Sequence, residues 1–226
     1  LTAPSTRSSA RRSRSLAVSG AGPTTERERG EGWPGAEQKF ALFAEVMATG
    51  IIVAVLSLPV VTLPLAVAAG HRHLLRFLRA QGSPLSLIWR DVRAGILGGL
   101  GIGAAWLAVT LAMGLNLMLV SSGVLPGGAV VGAASVAVLA VVLVVVLRAA
   151  AEWTPADGWR VALARGARVL AGDATGSLYV IVAAAIAVVV TWMLPPLIVP
   201  ALGCVCFALV TITARRAARE QFRRNA

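Results

Sequence analysis

Charge, lysine and cysteine are all scarce in this 226-residue chain. Charged residues make up 14% of it and apolar residues 57%, against about 25% and 45–50% in an ordinary soluble domain. That balance excludes a soluble enzyme, and the wealth of Leu, Ile, Val and Ala excludes a chain disordered throughout. An integral membrane protein is the class that remains. The two cysteines, Cys204 and Cys206, stand two apart inside an apolar run. On a helix they project to nearly opposite sides, so they cannot form a disulfide or share a ligand, and core packing is expected. His71 and His73 flank Arg72 with no acidic neighbour, a poor metal site. They are expected to be solvated at the membrane edge. No Ser/His/Asp set, intramembrane protease pair or phosphate loop is visible. The chain is therefore expected to be no enzyme, with no catalytic, cofactor-binding or metal-binding residue and no cofactor.

What is abundant is uncharged length. Three blocks lack any charge: 46–70, which reaches back to Phe40 if Glu45 is tolerated, then 94–147 and 174–214. One helical crossing takes about 20 residues. The second block holds two crossings around a turn at 121–127, and the third holds two around Pro195-Pro196. The first is too long for one straight span and too short for two. Pro59 and Pro64 interrupt it, which predicts a helix over 40–58, a broken stretch 59–64 and a second helical piece over 65–79. The fold expected is all-α: a polytopic transmembrane helical bundle over 39–214, with about five spans and a Pro-broken first hydrophobic block. Residues 1–38, rich in Arg and Ser, read as a disordered tail. Residues 215–226 read as a basic cytoplasmic C-terminal tail.

Net charge is +11, and Lys39 is the only lysine among 21 basic residues. The basic residues fall in the N-terminal tail, in 71–93, in 148–173 and in 215–226, while the two short turns carry none. The positive-inside rule places the last three segments on the cytoplasmic side of a multi-pass protein. The charge then needs no nucleic acid to explain it. A single crossing by the first block puts the N-terminal tail outside, whereas a broken or re-entrant pair puts it inside with all charge on one face. Trp89, Trp153, Trp159 and Trp192 lie close to span ends, where indoles favour the interface.

Gly95, Gly99 and Gly103 recur every four residues and form one smooth helix face, the small-residue pattern that lets two backbones approach. Packing within the bundle is the expected use, with a homodimer contact as the alternative. Gly99-Leu100-Gly101-Ile102-Gly103 also fits a loose dinucleotide fingerprint, but the strand and βαβ unit it needs are missing. Ser83-Pro84 with Trp89-Arg90, and Thr154-Pro155 with Trp159-Arg160, look like the two copies of a weak parallel repeat, each opening a short cytoplasmic helix. Convergence of interfacial sequence is the competing reading. Inside the spans only Glu45, within reach of the headgroups, and Asn116 are strongly polar. At the break, Pro59 and Pro64 deprive the carbonyls of Val55 and Val60 of their helical donors. Lipid offers no replacement. Pro59, Thr62 and Pro64 are thus expected to face the bundle interior as the least lipid-exposed part of the first block. The Thr62 hydroxyl would serve a carbonyl there, and any ligand site would lie against it.

Leu58-Pro59-Val60-Val61-Thr62-Leu63-Pro64, followed by Leu65-Ala66-Val67-Ala68-Ala69, resembles the signature of the YesL-like family of bacterial membrane proteins. The second proline stands slightly earlier than the family pattern has it. The layout is similar over 40–214. The resemblance implies a multi-pass protein of the bacterial cytoplasmic membrane, embedded in the lipid bilayer. The family that the chain resembles is biochemically uncharacterised and tends to be encoded near sugar-uptake permeases and glycoside-degrading enzymes. The function expected is therefore that of an accessory to carbohydrate uptake, with permease components as partners, and the missing catalytic set makes it non-enzymatic. A small permease in its own right, with the Pro59–Pro64 break lining a midplane site, is the alternative.

Overall fold

A computed structural model of the chain describes residues 36–81, 84–123 and 127–225. Almost all of the tail expected over 1–38 lies outside the described residues, as does Ser83. Among the described residues the chain is all α-helical and has no strand. The helices are α1 Ala36–Leu56, α2 Leu63–Leu78, α3 Leu85–Ser121, α4 Gly128–Glu152, α5 Gly158–Gly172, α6 Ala174–Met193 and α7 Ile198–Asn225, with single 3-10 turns at Val60–Thr62 and Pro195–Leu197. Five stretches are long and apolar enough to cross a membrane: Lys39–Leu56, Leu85–Ser121, Gly128–Glu152, Ala174–Met193 and Pro195–Asn225. The protein is a multi-pass membrane protein. By internal contacts the chain divides into Leu1–Ala41, of which only the opening of α1 is described, and the compact unit Leu42–Ala226.

The first block forms an antiparallel hairpin. Glu45 meets His73, while Val53 and Thr49 lie against Gly70, so α2 runs back along α1. Of the two arrangements left open by the sequence, this is the broken pair, with the charged residues of both helices at one end. α2 is not one of the five candidate spans, yet it is the core of the bundle. Its residues from Pro64 to His71, with His73 and Leu74, are buried. It packs on α3, α4 and α7. At about 1.5 Å per residue it is about 24 Å long. Because protein and not lipid surrounds it, its composition does not have to satisfy the bilayer.

The break differs from expectation. α1 ends at Leu56, and Leu58 to Val60 are exposed, Leu58 at 79% and Val60 at 54%, whereas Val61 and Thr62 are half-buried and the Val61 carbonyl lies on Gly103 of α3. Several of its polar groups are bonded locally. The Leu58 amide donates to the Val55 carbonyl and the Leu63 amide to the Val60 carbonyl. The Thr62 hydroxyl is shared between the carbonyls of Leu56 and Pro59 at 2.6 Å. Short-range bonds thus replace the donors that the prolines remove, and the stretch has no need of the interior. Pro64 sits in the first turn of α2, where a missing amide costs nothing.

The glycine face of α3 is filled from within. Gly95, Gly99 and Gly103 are all buried. A side chain on Gly95 would strike Trp153 and Leu65, one on Gly99 would meet Leu65 and Trp159, and one on Gly103 would run into the Val61 carbonyl. The face is not free for a second copy. A second small-residue crossing joins α1 to α7, where Gly50 lies on Val199 and Gly203, and Gly203 on the Val46 carbonyl.

Three further expectations change. α3 runs unbroken from Leu85 into its span, so the segment after Ser83-Pro84 is no separate short helix. Thr154 accepts from the Asp157 amide at 3.2 Å, but α5 begins only at Gly158, leaving Pro155 in the preceding turn. The two segments are therefore not structural copies. Residues from Arg215 are no detached tail. They continue α7 to Asn225, supported by an Arg216–Glu220 pair one helical turn apart at 2.7 Å.

Candidate functional site: the charged end of the bundle

The last turns of α2 approach the first turns of α3. Arg72 and Arg76 are one turn apart on the same helix face, and both reach Asp91, Arg72 through Nε at 3.0 Å and Arg76 at 2.5 Å. The Asp91 side chain is only 1% exposed. A buried carboxylate needs compensating donors, and both guanidiniums converge on Asp91 Oδ2, while Oδ1 is buried without a hydrogen-bond partner. The Arg72 guanidinium also lies over the Trp153 ring, 5.6 Å from its centre. Beside this cluster, His73 Nε2 meets Glu45 at 2.7 Å.

A second cluster ties α4 to α6. Arg148, also 1% exposed, reaches Asp173 at 3.2 Å. Asp173 caps α6 by accepting from the Gly176 amide at 3.1 Å. Gly176 leaves room for this, since a side chain there would collide with both Asp173 and Arg148. Arg216 of α7 then reaches Glu152 of α4 at 3.4 Å. At the surface the Asp157 carboxylate is held below its usual pKa by bonds from Arg165 and Thr154.

Between the clusters Trp153 and Trp159 stack with centres 5.5 Å apart and planes at 28°. Trp159 Nε1 donates to the Gly95 carbonyl at 2.9 Å. The glycines of α3 therefore receive one indole from the C-terminal end of α4 and one from α5. Outside this layer, α5, α6 and α7 enclose an open groove of about 680 Å³, lined by Arg168, Asp173, Gly176, Arg215, Arg219 and Arg223 among others.

Several sequence expectations are corrected here. His71 and His73 are buried, not solvated, because α2 is enclosed. Glu45 meets His73 and is not committed to the headgroups. Trp89 and Trp192 are exposed, as interfacial indoles are, but Trp153 and Trp159 are buried, since the α3 glycines open space for them. Cys206 is buried and Cys204 exposed, the opposite projection that their spacing implies. Pro59 and Thr62 lie on the chain between α1 and α2, with Thr62 bonded to the nearby carbonyls of Leu56 and Pro59, while Pro64 is buried in the first turn of α2, the interior position expected of it. Among the described residues no three His, Cys, Asp or Glu side chains converge as a metal site.

Comparison with protein-family models, curated proteins and solved structures finds no match. The geometry offers a buried polar layer held by the Asp91 and Asp173 ion pairs, with an open basic groove outside it. The ion pairs of Asp91 and Asp173 were invisible as pairs in the sequence, because each joins residues separated by 15 to 25 positions. The one available signal was that Asp91 and Asp173 are two of only ten acidic residues and sit at the edges of uncharged blocks.

Proposed function

We propose that this chain is a non-enzymatic accessory protein of the bacterial cytoplasmic membrane that assists carbohydrate uptake through contact with permease components. The carbohydrate part of the reading, and the bacterial membrane, rest on the YesL-like resemblance of the Pro59–Pro64 segment. The accessory part rests on one observation: Leu65 to Ala69, the stretch of α2 that would line a midplane pathway, is at most 3% exposed and wholly apolar. A permease built on the break would bring polar groups and water to that stretch. Instead the break keeps its bonds local, and the buried Asp91 and Arg148 are engaged in ion pairs at the charged end.

The test has two arms. Purified protein in liposomes should give no sugar flux, and the same protein drawn from mild detergent should carry an identified sugar-permease subunit with it. Sugar flux by the chain alone would overturn the reading in favour of the permease. Sidedness is tested separately. A reporter active only outside the cell should be active when fused after Gly127 and silent after Arg165; the reverse would overturn the orientation.

A further inference from the structure

The groove between α5, α6 and α7 is basic, partly unpaired and set at the level where a span begins. Arg215, Arg219 and Arg223 recur every four residues and form one stripe on α7. Arg168 of α5 completes the lining with them. The two carboxylates in the groove are already engaged. Asp173 pairs with Arg148 and caps α6, while Glu220 pairs with Arg216 at 2.7 Å. Among the described residues, Arg168, Arg219 and Arg223 make no ion pair. The groove therefore presents several guanidiniums with no protein anion to balance them.

Its position narrows the anion. The Arg215 guanidinium lies over the Tyr179 ring, 5.4 Å from its centre. Tyr179 stands near the start of α6, where an aromatic ring favours the headgroup level. From Tyr179 an exposed apolar stripe continues down α6 through Val182 and Ile186. One contact thus joins a basic groove to a lipid-facing track.

We propose that the groove binds the phosphodiester headgroup of an anionic glycerophospholipid, with an acyl chain lying along Tyr179, Val182 and Ile186. Guanidiniums match phosphate oxygens in geometry as well as charge, and basic pockets between membrane helices are known to hold anionic headgroups. A free phosphate shares the headgroup chemistry but makes no use of the apolar stripe. The lipid is the source that fits both halves of the site.

The experiment uses the full chain in a neutral detergent. Phosphatidylglycerol, phosphatidylcholine and inorganic phosphate are titrated, and binding is read by native mass spectrometry. Phosphatidylglycerol should bind and phosphatidylcholine should bind far more weakly. At about 1 kcal/mol per basic residue, the double variant Arg219→Gln/Arg223→Gln should weaken phosphatidylglycerol binding roughly 30-fold. Arg168→Gln, on a different helix, should weaken it about fivefold and guards against misfolding of the double variant. Arg90→Gln/Arg160→Gln removes the same charge from exposed sites outside the groove and should leave affinity within about twofold. Equal loss in that control would mean diffuse charge and overturn the site. Equal binding of the two lipids would overturn it as well. Competition by inorganic phosphate as strong as by phosphatidylglycerol would overturn the lipid assignment.

Discussion

The two ends of the bundle are closed by different means. At the uncharged end, the turn between α1 and α2 is held by bonds that span three to six residues, such as Thr62 to Pro59 and Leu56. At the charged end, Arg76 reaches Asp91 across 15 positions, Arg148 reaches Asp173 across 25, and Trp159 reaches Gly95 across 64. A local closure depends on turn chemistry and survives whatever the neighbouring helices do. A long-range closure exists only when several helices have docked, and it fixes their register. The charged end is therefore where the assembly of the bundle is specified, and damage there should spread further.

The sharpest way to break the comparison is Asp91→Ala. It strands Arg72 and Arg76 in a buried layer, and losing one partner of a buried pair costs about 3–5 kcal/mol. Folded yield and unfolding temperature in detergent should fall steeply. Next comes Gly103→Ala, which forces α3 off the Val61 carbonyl. Overpacking of this kind costs about 1–3 kcal/mol. Gly101→Ala on the same helix has no atom within 4 Å of the added carbon, and should be neutral or stabilising by up to about 1 kcal/mol. Equal loss at both glycines would mean that the α3 face is not packed as described.

Thr62→Val tests the other end. It removes the shared donor from the carbonyls of Leu56 and Pro59, at about 1 kcal/mol. If it destabilised the protein as much as Asp91→Ala, the contrast between the ends would fail. A smaller gain is available where α2 stops. The Ala80 amide donates to Phe77 and the Gln81 amide to Arg76, a helix stop that wants a left-handed residue. Ala80 adopts that conformation with φ 52°. Ala80→Gly should stabilise by about 0.5–1 kcal/mol, read as a higher unfolding temperature. The smallest effect belongs to Asp157, an exposed carboxylate held below its usual pKa by Arg165 and Thr154. A depressed carboxylate contributes stability above its unfolded pKa of about 4 and loses it as pH falls through the lower folded value. Asp157→Asn should lower neutral-pH stability slightly and leave stability below the folded pKa unchanged, so the acid limb flattens.

By itself the sequence determined the class and the frame: an all-helical membrane protein, five apolar spans, its uncharged turns, a proline break after α1 and a glycine face on α3. Each of these follows from composition, run length or periodicity, which act over a few turns of chain. Only the tertiary structure decided that the first block folds back as a hairpin, that α2 is the enclosed core, and that the glycines of α3 receive Trp153 and Trp159. The break was legible as a break, but its exposure was not, because short-range bonds supplied what the interior was expected to supply. His71, His73, Asp91 and Arg148 read as edge residues until the helices docked around them. Burial and ion pairing are properties of which helices become neighbours, and a one-dimensional pattern of apolar runs records each helix without recording what lies beside it.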